Sequence, residues 1–118
     1  MIYLGQPYAH SDKKIVELRR QAAAQFTQGM LLQGKYIFSP IVYGTALHPE
    51  NYDWLSFDLD MVPRCSEFWV LCLPRWEQSD GLRWELEKAR FHSLPIAYSG
   101  AKGLIDPEIM EALANADN

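Results

Sequence analysis

The chain reads FWVLCLPRWEQSDGLRWELEKA from residue 68 to residue 89, and this stretch contains two different hydrophobic patterns. Its first part, residues 68–73, is continuously apolar, as strands buried in parallel sheets are. Its second part, from Ser79 to about His92, has the pattern of an amphipathic helix. We therefore predict a strand that turns into a helix N-terminus, which is the edge of open α/β sheets where ligands bind.

The preceding half of the chain alternates between the same two patterns. Residues 2–4 form a short apolar run, which predicts a strand. Between a cap at Ser11 or Asp12 and a stop at Gly34, apolar residues recur at intervals of three and four residues, which predicts a helix. Its core-facing residues would be Ile15, Leu18, Ala22, Phe26 and Met30. Its other faces would carry Lys13, Lys14, Arg19 and Arg20.

The remaining segments complete an alternating order of strands and helices. We predict strands at residues 35–38 and 94–98, a loop over residues 41–51, a helix over residues 52–64 and a last helix from Asp106. Parallel strands need crossover connections, so this order predicts an α/β fold. The expected architecture is a small Rossmann-like or flavodoxin-like three-layer sandwich with a parallel sheet of four or five strands, in one domain over residues 1–118.

The composition excludes several classes of protein. The 118 residues are 48% hydrophobic, which suffices for a core without disulfides, so Cys65 and Cys72 are expected to be reduced. No segment has the length of a membrane span and the N-terminus lacks a basic region, so we expect a soluble cytoplasmic protein that does not contact a membrane. The net charge of −4 and dispersed basic residues argue against a nucleic acid polymer as partner.

Several common catalytic motifs are missing from the sequence. The turn at Gly81 lacks the Gly-Lys-Ser/Thr ending of a phosphate-binding loop, and the Gly5 turn is not a dinucleotide fingerprint. No serine lies in a Gly-x-Ser-x-Gly context. The three histidines, at positions 10, 48 and 92, show no metal-ligand spacing. We therefore expect neither a metal nor an organic cofactor.

Carboxylates are the remaining candidates for chemistry. Asp58 and Asp60 precede the central strand, and Glu85 follows it on the helix whose N-terminus should keep this carboxylate ionised. Two neighbouring carboxyls suit glycosidic chemistry, one as nucleophile and one as acid. Tyr3 at the end of the first strand would orient the nucleophile. The alternative is that both aspartates are surface residues and Tyr3 belongs to the core.

An ordered set of short motifs resembles the nucleoside 2-deoxyribosyltransferase superfamily, in particular a branch of small bacterial and phage proteins. The matching residues follow the family's order over nearly the whole chain. They are Ile2-Tyr3-Leu4 with Pro7-Tyr8, the Gly34 to Pro40 segment, Asp58 with Cys65, Val70-Leu71 with Pro74-Arg75-Trp76, and Ser79-x-Gly81-x-x-x-Glu85 with Ala89 and Pro95.

The resemblance implies cleavage of the bond between a deoxyribose and its base. It makes Glu85 the nucleophile, Asp58 the acid that protonates the departing base, and Tyr3 the residue that orients Glu85. It also implies homo-oligomers that share residues between subunits, with Ser99 as a candidate for the shared residue. The substrate-binding residues would be Gly5, Gln6, Tyr8, Asp60, Ser79 and Gly81.

Position 79 indicates the substrate. Base-exchanging members resemble one another in having an acid there, whereas the branch that hydrolyses deoxynucleoside 5′-monophosphates has serine. Ser79 therefore favours a 5′-monophosphate, bound by the serine hydroxyl and the Gly81 N–H, and Arg83 is a candidate for a further phosphate contact. Trp54, Trp76 and Tyr43 are candidates for stacking on the base, although aromatic residues are more often core.

Two alternatives to a nucleotide N-glycosidase or deoxyribosyltransferase remain open. The protein would be a nucleotide-binding or regulatory module without turnover, or a glycohydrolase of another nucleotide derivative such as NAD. Dependence of base release on Glu85 separates the enzymes from the binding module, and the identity of the product separates the two enzymes.

Overall fold

A four-stranded parallel sheet forms the centre of the computed structural model, which describes residues 1–47 and 51–116. The strand order is β2-β1-β3-β4, and every neighbouring pair is parallel. This is the start of the flavodoxin-like order, which confirms the predicted class of fold. The strands are β1 (Ile2–Gly5), β2 (Ile37–Phe38), β3 (Glu67–Leu71) and β4 (Ile96–Ser99).

Five α-helices accompany the sheet in the described part of the chain. Side-chain caps define several of their starts, since Asp12, Asp53, Ser79 and Asp106 each accept a hydrogen bond from a backbone N–H of the first turn. Gly34, with φ of +84°, follows the end of the first helix as expected of a stop signal. The helices are α1 (Lys13–Leu32), α2 (Pro40–Leu47), α3 (Trp54–Met61), α4 (Asp80–Phe91) and α5 (Pro107–Asn115).

Helices cover both faces of the sheet, and the strand residues alternate between two cores. Ile2 and Leu4 of β1 pack in the core under α1 and α5. Tyr3 faces the opposite way, into the core under α4. The chain therefore leaves β1 toward one face and β3 toward the other, which opens a crevice between the carboxyl ends of these strands.

The predicted loop over residues 41–51 is wrong, because Pro40–Leu47 is a helix. Ser39 accepts a hydrogen bond from the backbone N–H of Val42 at 3.3 Å, and Pro40 is the first residue of α2. A serine cap followed by proline is a helix start, since proline needs no hydrogen-bond partner there. Residues 48–50 of the predicted loop, including His48, lie outside the described residues.

The predicted position of Arg19 is also wrong. Its side chain is 6% exposed, although it was expected on a polar face of α1. Arg19 follows Ile15 by four residues and precedes Ala22 by three, so it lies on the buried stripe of the helix. Cys65 and Cys72 are both free, as predicted, and none of the described helices is long and apolar enough to cross a membrane.

Candidate functional site

A cavity of about 580 Å³ opens at the carboxyl ends of β1 and β3. This volume lies in the range of small-molecule sites. Its walls come from the loop after β1, the first residues of α2, one side of α3 and the start of α4. The lining residues are Gln6, Tyr8, Ala9, Pro40, Ile41, Leu55, Asp58, Gln78, Ser79, Asp80, Gly81, Leu82, Trp84 and Glu85.

Glu85 and Tyr3 form a hydrogen-bonded pair at this cavity. The Tyr3 hydroxyl donates to Glu85 Oε2, although 82 positions separate the residues in the chain. The Tyr3 ring is fully buried and stacks on Phe68, with 5.1 Å between ring centroids. Because the phenol is fixed by this packing, it holds one oxygen of Glu85 in a defined position.

The expectation that the helix N-terminus keeps Glu85 ionised is wrong. Burial and, to a smaller extent, the charge of Asp58 together raise the pKa of Glu85 to about 8, against the opposing effect of the Tyr3 hydrogen bond. Glu85 is the sixth residue of α4, and the helix dipole acts mainly within the first turn. Loss of hydration therefore outweighs the dipole at this position.

Asp58 brings a second carboxyl to the same cavity. Its Oδ1 atom is buried without a hydrogen-bond partner among the described residues, and burial raises its pKa to about 6. Because Asp58 and Glu85 repel each other when both are charged, they lose their protons in sequence. Near neutral pH the pair holds one proton and one negative charge.

Two of the predicted substrate-binding residues do not line the cavity. Asp60 is exposed on α3, about 200° around the helix from Asp58, so only one of these aspartates faces the cavity. Gly5 is buried beneath the cavity, where an added Cβ would meet the rings and methyl groups of Phe68 and Leu82. Because Gly5 has no side chain, β1, β3 and α4 can pack closely together at this position.

Gln6 and Tyr8 both line the cavity from the loop after β1. The Gln6 side chain is buried, and its Nε2 donates to the Arg19 carbonyl at 3.1 Å. Its Oε1 has no partner among the described residues, so the structure leaves a buried acceptor there. Burial raises the pKa of the half-buried Tyr8.

Ser79 and Gly81 lie at the start of α4 and line the cavity. Ser79 Oγ accepts from the backbone N–H of Leu82 at 3.2 Å, which leaves its own proton available to donate. A Cβ at Gly81 would meet no atom within 4 Å, so the space beside this residue is open. Arg83 does not line the cavity, although it pairs at 3.2 Å with Asp80, which does, and both side chains are exposed.

The aromatic residues predicted to stack on a base lie elsewhere. Tyr43 and Trp54 belong to an aromatic cluster with Phe57, and Trp76 packs against Tyr98. None of these lines the cavity. The aromatic side chains that do so are Tyr8 and Trp84, and the Trp84 ring was missed although it directly precedes Glu85.

Two further missed lining residues come from α2, which was predicted as a loop. Pro40 and Ile41 form its first turn, and the Ser-Pro signal at residues 39–40 could have identified them. Ser99, the candidate for a residue shared between subunits, is buried in its own chain and donates to the Gly100 carbonyl at 2.9 Å. Within residues 1–47 and 51–116, no three His, Cys, Asp or Glu side chains are grouped as metal ligands.

Comparison with solved structures gives a relative in fold. The chain is similar to a 2-deoxyribosyltransferase from Bacillus psychrosaccharolyticus, with 19% sequence identity and a TM-score of 0.55. The alignment covers 98% of this chain and 91% of the other, so the likeness extends over the whole α/β architecture. No curated protein matches the sequence.

Comparison with protein families gives a match over most of the chain. The profile described as "Domain of unknown function (DUF1937)" matches residues 1–101, which contain all four strands and every residue that lines the cavity. The C-terminal helix α5 lies beyond the matched region. The chain therefore belongs to the DUF1937 family.

Proposed function

We propose that the protein is an N-glycosidase that cleaves the bond between the base and the deoxyribose of a deoxynucleoside 5′-monophosphate. The observation that carries the proposal is the buried Glu85 carboxyl, held by the Tyr3 hydroxyl at a cavity that Asp58 also lines. The similarity in fold to a 2-deoxyribosyltransferase supports chemistry on a nucleoside. The sequence resemblance supports the same assignment of roles.

The proposed reaction proceeds in two steps. In the first, ionised Glu85 attacks the anomeric carbon, the bond to the base breaks, and the protonated Asp58 supplies a proton to the departing base. In the second, Asp58 takes a proton from water, which attacks the same carbon and releases Glu85. A free base in place of water would give deoxyribosyl transfer.

The proton content of the carboxyl pair supports this chemistry. Near neutral pH the pair holds one proton, and the pKa values of about 8 for Glu85 and about 6 for Asp58 place it mainly on Glu85. The reaction needs Glu85 ionised and Asp58 protonated, so the reactive form is the minor arrangement of this single proton. The Tyr3 hydrogen bond stabilises the ionised form of Glu85, which favours the productive distribution. The unpartnered Asp58 Oδ1 supports the role of donor to a base nitrogen.

The remaining lining residues suit the other parts of a nucleotide. Trp84 and Tyr8 offer aromatic faces for the base. Gln6 Oε1 can accept from a sugar hydroxyl, since it has no partner among the described residues. The Ser79 hydroxyl and the amides at the start of α4 suit the 5′-phosphate. Homo-oligomerisation, implied by the resemblance, remains part of the proposal.

A substrate panel tests this function. Purified protein is incubated with the four deoxynucleosides and their 5′-monophosphates, with and without a free acceptor base, and released base is measured by chromatography. We expect base release from a monophosphate without acceptor, and a loss of at least about 1,000-fold in Glu85→Gln, the scale at which nucleophile removal acts. Release that persists in Glu85→Gln would contradict the proposal.

The panel also separates the alternatives. Exchange only in the presence of acceptor would make the protein a transferase. Ligand binding without turnover of any substrate would make it a binding module. Asp58→Asn serves as a matched variant, because it removes the proposed acid and leaves Glu85 and Tyr3 in place.

A further inference from the structure

A second recess adjoins the main cavity on the α1 side. It has a volume of about 130 Å³, and it shares Ala9, Gln78 and Ser79 with the main cavity. Its remaining walls include two arginines, Arg19 from α1 and Arg75 from the segment after β3. A group bound in the main cavity beside Ser79 could therefore extend into the recess without crossing a barrier of other residues.

Arg19 carries an uncompensated charge into this recess. Its side chain is almost fully buried, and its Nη1 donates to the carbonyls of Ala9 at 3.0 Å and Tyr8 at 3.4 Å. Its Nε is buried without a hydrogen-bond partner among the described residues. Burial and the nearby Arg75 lower the pKa of Arg19. A buried charge is costly unless an opposite charge accompanies it.

Arg75 adds a second positive charge to the recess, and its backbone is strained. Its φ is +67°, in the left-handed region that is strained for a residue with a Cβ. Its Nη1 donates to the Leu113 carbonyl at 3.1 Å, which fixes the side chain between α5 and the recess. The ion pairs formed within residues 1–47 and 51–116 are Arg20–Glu17 and Arg83–Asp80, so neither recess arginine has a carboxylate partner.

We propose that Arg19 and Arg75 form an anion subsite that binds a phosphate group on the 5′ side of the nucleotide in the main cavity. Guanidinium groups suit phosphate because they present several N–H donors in a planar fork. Ser79 lies on the boundary, so its hydroxyl would contact the same phosphate from the main cavity. The identity of the nucleotide rests on the proposed function, whereas the anion subsite does not.

The first test uses inorganic phosphate and pyrophosphate as probes, without any turnover. Arg75→Asn removes the charge and retains a residue that tolerates positive φ. We expect calorimetric binding of at least one probe to the unmodified protein, and about 10-fold to 100-fold weaker binding to Arg75→Asn, as for lost hydrogen bonds to a charged group. Arg90→Gln is the matched control, because Arg90 is exposed near the end of α4 and lines neither cavity, and it should bind as the unmodified protein does.

The second test compares substrates. Arg75→Asn should lower kcat/KM for the 5′-monophosphate by a similar factor and leave kcat/KM for the corresponding nucleoside unchanged. Arg75→Lys should fall between the two, since it keeps the charge and loses the fork. If Arg75→Asn does not fold, comparison of Arg75→Lys with Arg90→Gln still distinguishes the outcomes, because only the first of these alters the recess.

The two proposals fail in different ways. Arginine-dependent binding of phosphate or pyrophosphate without base release would refute the N-glycosidase and leave the anion subsite standing. Failure of the unmodified protein to bind either probe would overturn the subsite. Unchanged probe binding and an unchanged ratio of monophosphate to nucleoside turnover in the Arg75 variants would also overturn it.

Discussion

At the scale of single residues, Glu85 shows how far sequence alone leads. The resemblance selected Glu85, Asp58 and Tyr3, and the structure brings the first two to one cavity with the Tyr3 hydroxyl on Glu85. The ionisation of Glu85 was predicted wrongly, because helix position is visible in a sequence and burial is not. Asp60 could be separated from Asp58 only when the exposed side of α3 was known.

The raised pKa of Glu85 predicts that stability falls as the pH rises. The unfolded chain loses this proton near 4.5 and the folded protein keeps it until about 8, so unfolding releases a proton between these values. The expected slope is about 1.4 kcal/mol per pH unit at most. Urea unfolding at pH 6 and pH 8 should show this loss in the unmodified protein and a much smaller one in Glu85→Gln.

Asp58→Asn is the control for this measurement. The pKa of Asp58 is raised to about 6. The stability that its bound proton contributes is therefore lost mainly as the pH rises toward 6, and little of it is left to lose above pH 6. The variant also loses the Asp58 charge that raises the pKa of Glu85, but burial is the larger cause, so it should keep most of the slope between pH 6 and pH 8. Equal slopes in the Glu85→Gln and unmodified proteins would show that Glu85 is not the group that titrates.

Tyr3→Phe should remove the hydrogen bond that holds Glu85 while it preserves the packing of the ring on Phe68. The lost hydrogen bond to a charged acceptor predicts a kcat about 10-fold to 100-fold lower at pH 7, with little change in KM. Without this donor the pKa of Glu85 rises further. The active form of the carboxyl pair carries one proton, and the alkaline limb of the pH profile reports the loss of that proton, so this limb should move to higher pH. A loss of activity with both limbs in place would indicate a structural role only.

At the scale of elements, most of the fold was predictable because apolar periods and caps report local structure. The strands at residues 2–4 and 68–73 and the helices from Asp12 and Ser79 were predicted within a few residues of their bounds. The exception is α2, which has few polar residues and therefore no amphipathic period. Its only local signal is the Ser39-Pro40 start, which also reads as the end of a strand.

The close contact between β1, β3 and α4 predicts that a substitution at Gly5 strongly destabilises the protein. A Cβ there would lie 2.7 Å from Leu82 Cδ1 and closer still to the Phe68 ring, and both side chains are fully buried. Gly5→Ala should therefore lower the free energy of unfolding by about 1–3 kcal/mol, as overpacking does. Chemical denaturation measures this change.

Gly81→Ala is the matched control for Gly5→Ala. An added Cβ at Gly81 meets nothing within 4 Å, and alanine favours a helix over glycine by about 1 kcal/mol. This variant should be as stable as the unmodified protein or more so. A larger loss at Gly81 than at Gly5 would contradict the packing described between the strands and α4.

At the scale of the whole molecule, the sheet order explains why the candidate site lies where it does. The connections from β1 and β3 run to opposite faces, and the crevice between these strand ends is where open α/β sheets bind ligands. The neighbouring recess lies on the same edge, on the α1 side. It depends on a buried Arg19 that the sequence pattern assigned to a polar face, so it could be found only from the structure.

The central claim, that Glu85 is a nucleophile, is tested most directly by capture of the covalent intermediate. The protein is mixed with the 5′-monophosphate that turns over most slowly, quenched with acid within the first turnover, digested and mapped by mass spectrometry. We predict a deoxyribosyl phosphate adduct on the peptide that contains Glu85, and no adduct in Glu85→Gln. Base release with an adduct on another residue, or with the same rate in Glu85→Gln, would contradict the account.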